Sequence, residues 1–218
     1  DDLTPGGVNG RRPDRAVIAY TNLIRRFFKN TRPIVLGGIE ASLRRVTHYD
    51  FWSDSLRRSV LFDSKADLLV YGMGENAVLE IARKIKEGRD DYKYLRGVCY
   101  ISKTPAAGYI ELPSHEQCVS DKLKFIEMFD IFYKSNDSLT AKGLFEKTGD
   151  RYLIHNPPAP VLTSGELDEI YGLGYSRSVH PYYKKLGAVA ASNTIDFSIT
   201  THRGCYGECN FCAIAVHQ

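Results

Sequence analysis

The stretch Ala66-Asp-Leu-Leu-Val-Tyr-Gly-Met-Gly-Glu75 joins a short, continuous apolar run to a glycine turn. Such a run suits a strand buried on both faces of a parallel sheet. Residues Asn76 to Glu87 follow with Ala77, Leu79, Ile81 and Ile85 at helical spacing, and Gly88 closes the helix. The same order occurs upstream. A helix is expected over Ala16–Lys29, with Val17, Tyr20, Ile24 and Phe27 or Phe28 on one face, ended by Asn30 and Pro33. Pro33-Ile-Val-Leu-Gly-Gly38 is then a second buried strand stopped by glycines. Downstream, Gly97-Val-Cys-Tyr-Ile101 reads as a third strand, with Gly108–Leu112 pairing to it as a hairpin. Strands alternating with helices predict an α/β fold built on a largely parallel sheet. Its functional loops should lie at the carboxyl ends of strands, at Gly37-Gly38 and Gly72–Glu75.

Beyond this unit the texture changes. Asp121–Lys134 is an expected helix, and Asn156-Pro-Pro-Ala-Pro160 an extended linker. Ser164 is read as the cap of a helix reaching Tyr171, with Glu166 and Asp168 in its first turn. His180–Tyr183 is expected to be irregular, and Ile195-Asp-Phe-Ser-Ile-Thr200 alternates like a strand.

The 218 residues suffice for one large domain or two small ones. A formal charge of +3 is too small to argue for nucleic acid, and no apolar run has the length of a membrane span. No membrane partner is therefore expected. Of five cysteines, Cys99 and Cys118 are isolated and three crowd together. That distribution suits metal ligation in a reducing compartment better than a disulfide framework, so a cytoplasmic location is expected.

The crowded segment is Thr201-His-Arg-Gly-Cys205-Tyr-Gly-Glu-Cys209-Asn-Phe-Cys212. Three thiolates in C-x-x-x-C-x-x-C spacing can each ligate one iron of a [4Fe–4S] cube, leaving the fourth iron open, as catalytic use requires. Gly204 and Gly207 let the backbone curl around such a cube. The competing reading is a structural zinc site with His202 or His217 as fourth ligand, although zinc sites usually join two separated ligand pairs.

This segment resembles that of radical SAM enzymes. Leu36-Gly-Gly-Ile-Glu-Ala-Ser-Leu-Arg-Arg45, His48-Tyr-Asp-Phe-Trp-Ser53, Ala66–Glu75, Asn156-Pro-Pro158, His180-Pro181 and Val216-His-Gln218 extend the likeness to the YgiQ-type radical SAM proteins. The resemblance implies a [4Fe–4S] cluster held by Cys205, Cys209 and Cys212. It also implies S-adenosylmethionine bound at the open iron, and Phe211 beside its adenine. A reductant such as flavodoxin or ferredoxin would supply the electron that yields a 5′-deoxyadenosyl radical; the substrate is not given by the resemblance. It further implies a Rossmann-like, cobalamin-binding-type domain over 1–113, incomplete at its start, and a connector over 114–187. Residues 188–218 would supply the first strand and cluster loop of a radical SAM βα barrel. A full barrel would need about 150–200 further residues, so a fragment, inactive alone, is expected. Cobalamin itself is not expected, since no Asp-x-His-x-x-Gly motif is present.

Weaker patterns have plainer readings. Gly72–Ala77 fits G-x-G-x-x-A, which would suit a nucleotide-dependent oxidoreductase, but Glu75 would repel a pyrophosphate, and a tight turn is favoured. Arg44-Arg45 and Arg57-Arg58 bracket Tyr49, Phe51 and Trp52, which could serve a zinc-bound RNA-binding module. The favoured reading there is a solvated helix face with its aromatics on the core and its arginines paired to Asp50, Asp54 and Asp63. Glu40, His48 and Asp50 could line a pocket, with local packing the more ordinary role.

Overall fold

The computed structural model describes residues 4–201, 203–205, 207, 209 and 211–217. It divides into two compact units, one of Asp1–Ala16 with Leu162–Arg203 and one of Val17–Val161 with Gly204–Gln218.

The larger unit carries the sheet. Helix α1 (Ala16–Phe27) leads to β1 (Val35–Leu36) and α2 (Gly38–Leu43). A small hairpin follows, β2 (His48–Asp50) with β3 (Ser55–Arg57), and then α3 (Val60–Ser64). Next come β4 (Leu68–Val70), α4 (Glu75–Lys86), β5 (Val98–Ser102) and β6 (Ile110–Leu112). Helices α5 (His115–Ser120) and α6 (Lys122–Lys134) precede a last hairpin, β7 (Leu144–Thr148) and β8 (Arg151–His155). Six strands form one sheet in the order β1-β4-β5-β8-β7-β6.

The fold is α/β, as the sequence implies, and its opening parallel pair is as expected: Val35 and Leu36 register with Leu68 and Leu69. The rest of the sheet differs in direction. It is mixed, with β4–β5, β5–β8 and β7–β8 antiparallel and β6–β7 parallel. A run such as Leu68–Val70 is buried at every position because both sheet faces are covered. Two-sided burial makes a strand uniformly apolar whatever the direction of its neighbours. Nor does β6 form the expected hairpin with β5: it runs parallel beside β7.

Hairpin β7–β8 escapes the hydrophobic pattern because the inward face of β7 carries Glu146, fully buried between Leu144 and Thr148. Its turn, Gly149-Asp150, with Gly149 at a φ of 60°, is the signal that could have revealed it. The main apolar cluster joins Leu36, Leu61, Leu69, Tyr71, Met128, Phe132, Leu144, Leu153 and, from the chain's other end, Val216.

The smaller unit contains α7 (Ser164–Tyr171), α8 (Pro181–Lys184) and α9 (Ser192–Ile195). Thr163, not Ser164, caps α7: its hydroxyl accepts from the Glu166 amide while Glu166 accepts from the Thr163 amide. His180-Pro-Tyr-Tyr183, expected to be irregular, starts a short helix capped by His180 Nδ1, which accepts from the Tyr182 amide. The expected strand Ile195–Thr200 is absent. Asp196 and Ser198 amides bond locally to the Ser192 and Ile195 carbonyls, and the alternating Phe197 and Ile199 are exposed. Alternation yields a strand only where a neighbour accepts the ladder and one face is buried, and neither holds here among the described residues.

Candidate functional site

Cys205, Cys209 and Cys212 belong to the unit that carries the sheet, which the chain re-enters at Gly204. Cys205, Cys209 and Cys212 are exposed free thiols, while Cys99 and Cys118 are buried. The Gly207 amide donates to Cys205 Sγ at 3.4 Å, and Cys209 Sγ lies 3.7 Å from the Gly207 carbonyl oxygen. A Cβ added at Gly207 would sit 3.3 Å from Cys205 Sγ and 3.6 Å from Cys209 Sγ. Two sulfurs thus flank one glycine that leaves room between them. The Cys212 amide closes a turn onto the Cys209 carbonyl at 2.9 Å. Among the described residues no three Cys, His, Asp or Glu side chains are gathered closely enough to hold a metal ion. Phe211 is 92% exposed. His202, a zinc-ligand candidate, lies outside the described residues, as does Gln218.

A 3₁₀ turn, Ile214–Val216, carries the chain from Cys212 to the sheet unit. There it meets Arg45, which is fully buried. Its Nη2 donates to the Val216 carbonyl at 2.7 Å and to Asn136 Oδ1 at 3.2 Å. Nη1 donates to the Ser42 carbonyl and hydroxyl, and Nε to His155 Nε2 at 2.9 Å. The guanidinium lies between the rings of Tyr71 and Phe132, 4.4 and 4.5 Å from their centroids. Because Arg45 can only donate, His155 Nε2 accepts and Nδ1 carries the proton. That proton faces Tyr71 Oη at 3.5 Å, and Tyr71 donates in turn to the Asn156 carbonyl at 2.6 Å. Burial, reinforced by Arg45, holds His155 well below the usual imidazole range, so it is neutral.

Beside this network is a cavity of about 250 Å³ at the carboxyl end of β4. Tyr71, Gly72, Asn136, Pro158, Val216 and His217 are among its walls. In open α/β sheets ligands favour that edge. Burial and Arg45 lower the His217 pKa. A larger, open cleft of about 760 Å³ involves Arg57, Arg58, Asp63, His115 and Arg151, and no cysteine-segment residue lines it.

The weaker patterns resolve locally. Gly74 caps α4, and a Cβ there would meet Val70 Cγ1 at 2.7 Å, so the glycine serves close helix–strand contact. Tyr49, Phe51 and Trp52 sit on a hairpin and are exposed, contrary to the expected helix with aromatics on the core. Arg57 and Arg58 both pair with Asp63, as expected. Asp50 accepts from the Ser53 amide and hydroxyl and lies 3.6 Å from Arg44, which organises the β2–β3 turn. His48 is held down to about 4 by burial, despite its contact with the Val46 carbonyl.

Residues 1–198 match the family described as radical SAM N-terminal. The chain belongs to this radical SAM family. It is 58% identical to a UPF0313 protein of Fusobacterium nucleatum over its whole length, covering 38% of that relative. It is 51% identical to a UPF0313 protein of Thermotoga maritima and 48% to one of Clostridium botulinum strain 657, covering 39% and 35% of each. The chain thus spans well under half the length of these curated relatives. No solved structure matches it. No helix among the described residues is long and apolar enough to cross a membrane. Neither the buried Arg45 nor Glu146 could be found from the radical SAM likeness or the periodicity, because charged residues inside a core leave no pattern.

Proposed function

We propose that this chain is the N-terminal part of a radical SAM enzyme whose Cys205, Cys209 and Cys212 thiolates hold a [4Fe–4S] cluster that binds S-adenosylmethionine. The observation that carries the reading is the sorting of the five cysteines in a chain of this family. The three in C-x-x-x-C-x-x-C spacing are the exposed ones, and Gly207 keeps the space between two of their sulfurs clear. An exposed thiol loses its proton to a metal readily; Cys99 and Cys118, pushed up to about 12 by burial, do not. Thiolate donors select iron–sulfur clusters over hard cations, and three from one loop leave a fourth iron open.

Cys205, Cys209 and Cys212 would hold the cluster, and the chemistry it would supply when bound is one-electron reductive cleavage of S-adenosylmethionine to methionine and a 5′-deoxyadenosyl radical able to take hydrogen from a substrate, with a reductant such as flavodoxin or ferredoxin providing the electron. The chain's own residues have simpler tasks. The Gly207 amide donates to sulfur and so lowers its basicity. Phe211 presents an open ring face suited to stacking on adenine. The Gly72 turn and the Ile214–Val216 turn frame the cavity from two sides.

Anaerobic reconstitution of the full-length protein with iron and sulfide tests the reading. Brown protein absorbing at about 400 nm is expected. Cys205→Ala, Cys209→Ala and Cys212→Ala should each lose the bound cluster, and Cys99→Ala and Cys118→Ala should keep it. Colourless protein carrying one zinc, or equal iron loss from Cys99→Ala, would sink the proposal.

A further inference from the structure

Arg45 is an unusual core residue. Its five N–H groups meet five acceptors: His155 Nε2, the Ser42 carbonyl and hydroxyl, Asn136 Oδ1 and the Val216 carbonyl. All five are neutral, and no carboxylate ion-pairs with Arg45 among the described residues. A buried charge with only neutral partners is a costly way to fill space, because an apolar side chain of similar volume avoids the desolvation. What the guanidinium adds over an apolar group is direction. Four of its acceptors belong to the sheet unit's own framework, on α2 and β8 and just past α6. The fifth is 171 positions away and lies four residues past Cys212.

A second contact docks the same segment. The Val216 side chain is buried in the main apolar cluster with Leu36, Leu69 and Phe132. The segment also passes beside the Gly72 turn, whose φ of 70° favours glycine: a Cβ there would lie in ordinary contact, 3.6 Å, with the His217 carbonyl oxygen. The segment after the third cysteine is therefore seated by a carbonyl and a side chain, next to the Gly72 turn at the carboxyl end of β4.

We infer that Arg45 is a positioning residue that latches the segment following Cys212 onto the sheet unit and so fixes where the three cysteines stand relative to the cavity at Tyr71 and Gly72. The role in cluster assembly rests on the proposed function; the latch itself does not. Arg45 acts through Val216 and touches no cofactor. The planar fork is needed because its acceptors surround it; a lysine offers three donors at a single point and cannot span them.

The test has two arms on the full-length protein. In the iron-free protein, hydrogen exchange compares the parent with Arg45→Met, Arg45→Lys and Val216→Gly. Expected is about tenfold faster exchange over Ile214–His217 in all three, with Leu68–Val70, Val98–Ser102 and Arg151–His155 unchanged. In the reconstituted protein, the same variants should retain several-fold less iron and broaden the electron paramagnetic resonance signal of the reduced cluster. A purely structural role for Arg45 would instead slow or speed exchange across the sheet and leave that signal's shape alone. If Arg45→Met unfolds the sheet, Val216→Gly decides, since it loosens the segment without disturbing the guanidinium's other four bonds. Unchanged exchange over Ile214–His217 in Val216→Gly overturns the latch. Faster exchange with no iron bound by the parent supports the latch and removes the cluster reading alone.

Discussion

Glu146 gives the sheet unit a stability that falls as pH rises. The side chain is fully buried on β7. Oε2 accepts from the Thr47 amide at 3.0 Å, but Oε1 has no hydrogen-bond partner among the described residues. Burial, with a smaller push from Glu116, raises its pKa from 4.5 to about 7. The folded chain therefore holds a proton that the unfolded chain has released. Its stabilising contribution is complete below about pH 4.5, declines as pH rises, and is gone above about pH 7. At about 1.4 kcal/mol for each pH unit crossed, the loss is about 3 kcal/mol. Glu146→Gln retains a carbonyl for Thr47 and cannot ionise. Urea unfolding of parent and variant between about pH 4 and about pH 8 measures the effect. His48 and His155, held neutral by burial, give the opposite slope up to about pH 6.5, within the same range, so the quantity to follow is the difference between the two proteins. That difference should shift in the variant's favour by about 3 kcal/mol toward alkaline pH. A difference that stays constant across the range would refute the reasoning.

Two further outcomes are expected. In folded, iron-free protein, alkylation with iodoacetamide followed by peptide mass analysis should label Cys205, Cys209 and Cys212 while sparing Cys99 and Cys118, whose burial raises them to about 12. Gly74→Ala should destabilise the sheet unit by about 1–3 kcal/mol, read from the urea midpoint, because its Cβ would sit 2.7 Å from Val70 Cγ1.

Sequence pattern located what depends on local periodicity. Helix α4, strand β4 and the parallel β1–β4 pair follow from apolar spacing and glycine stops, and they stand within a few residues of the expected bounds. Strand direction was not legible, because uniform burial of Leu68–Val70 is compatible with a neighbour of either sense. Nor was β7, where Glu146 occupies a position that alternation would give to an apolar residue. The segment Ile195–Thr200 failed in the opposite way: its alternation is genuine, but Phe197 and Ile199 face solvent, and among the described residues no strand pairs with it, its backbone bonding only locally. At the candidate site, the three clustered cysteines were evident from spacing alone. Arg45 was not, since Arg44-Arg45 reads as one exposed basic pair, whereas Arg44 pairs with Glu40 and Asp50 near the surface and Arg45 is wholly enclosed.

The buried polar residues share a feature that bears on how this sheet reaches a single arrangement. Arg45 ties α2 to positions 136, 155 and 216; Glu146 ties β7 to Thr47. Asn156 takes a hydrogen bond from Tyr109 and donates to the carbonyls of Lys93 and Leu95. Each bond spans segments distant in sequence, and each would be left unsatisfied by a one-residue slip of the strand that carries it. Apolar contacts penalise such a slip most where one face is solvated, as on the alternating β7, and least where both faces are covered, as on β4. Burying polar groups that find partners in one register alone adds to that discrimination, at some cost in stability. On this argument the polar network selects the register of the mixed sheet, and the apolar cluster supplies the driving force that holds it.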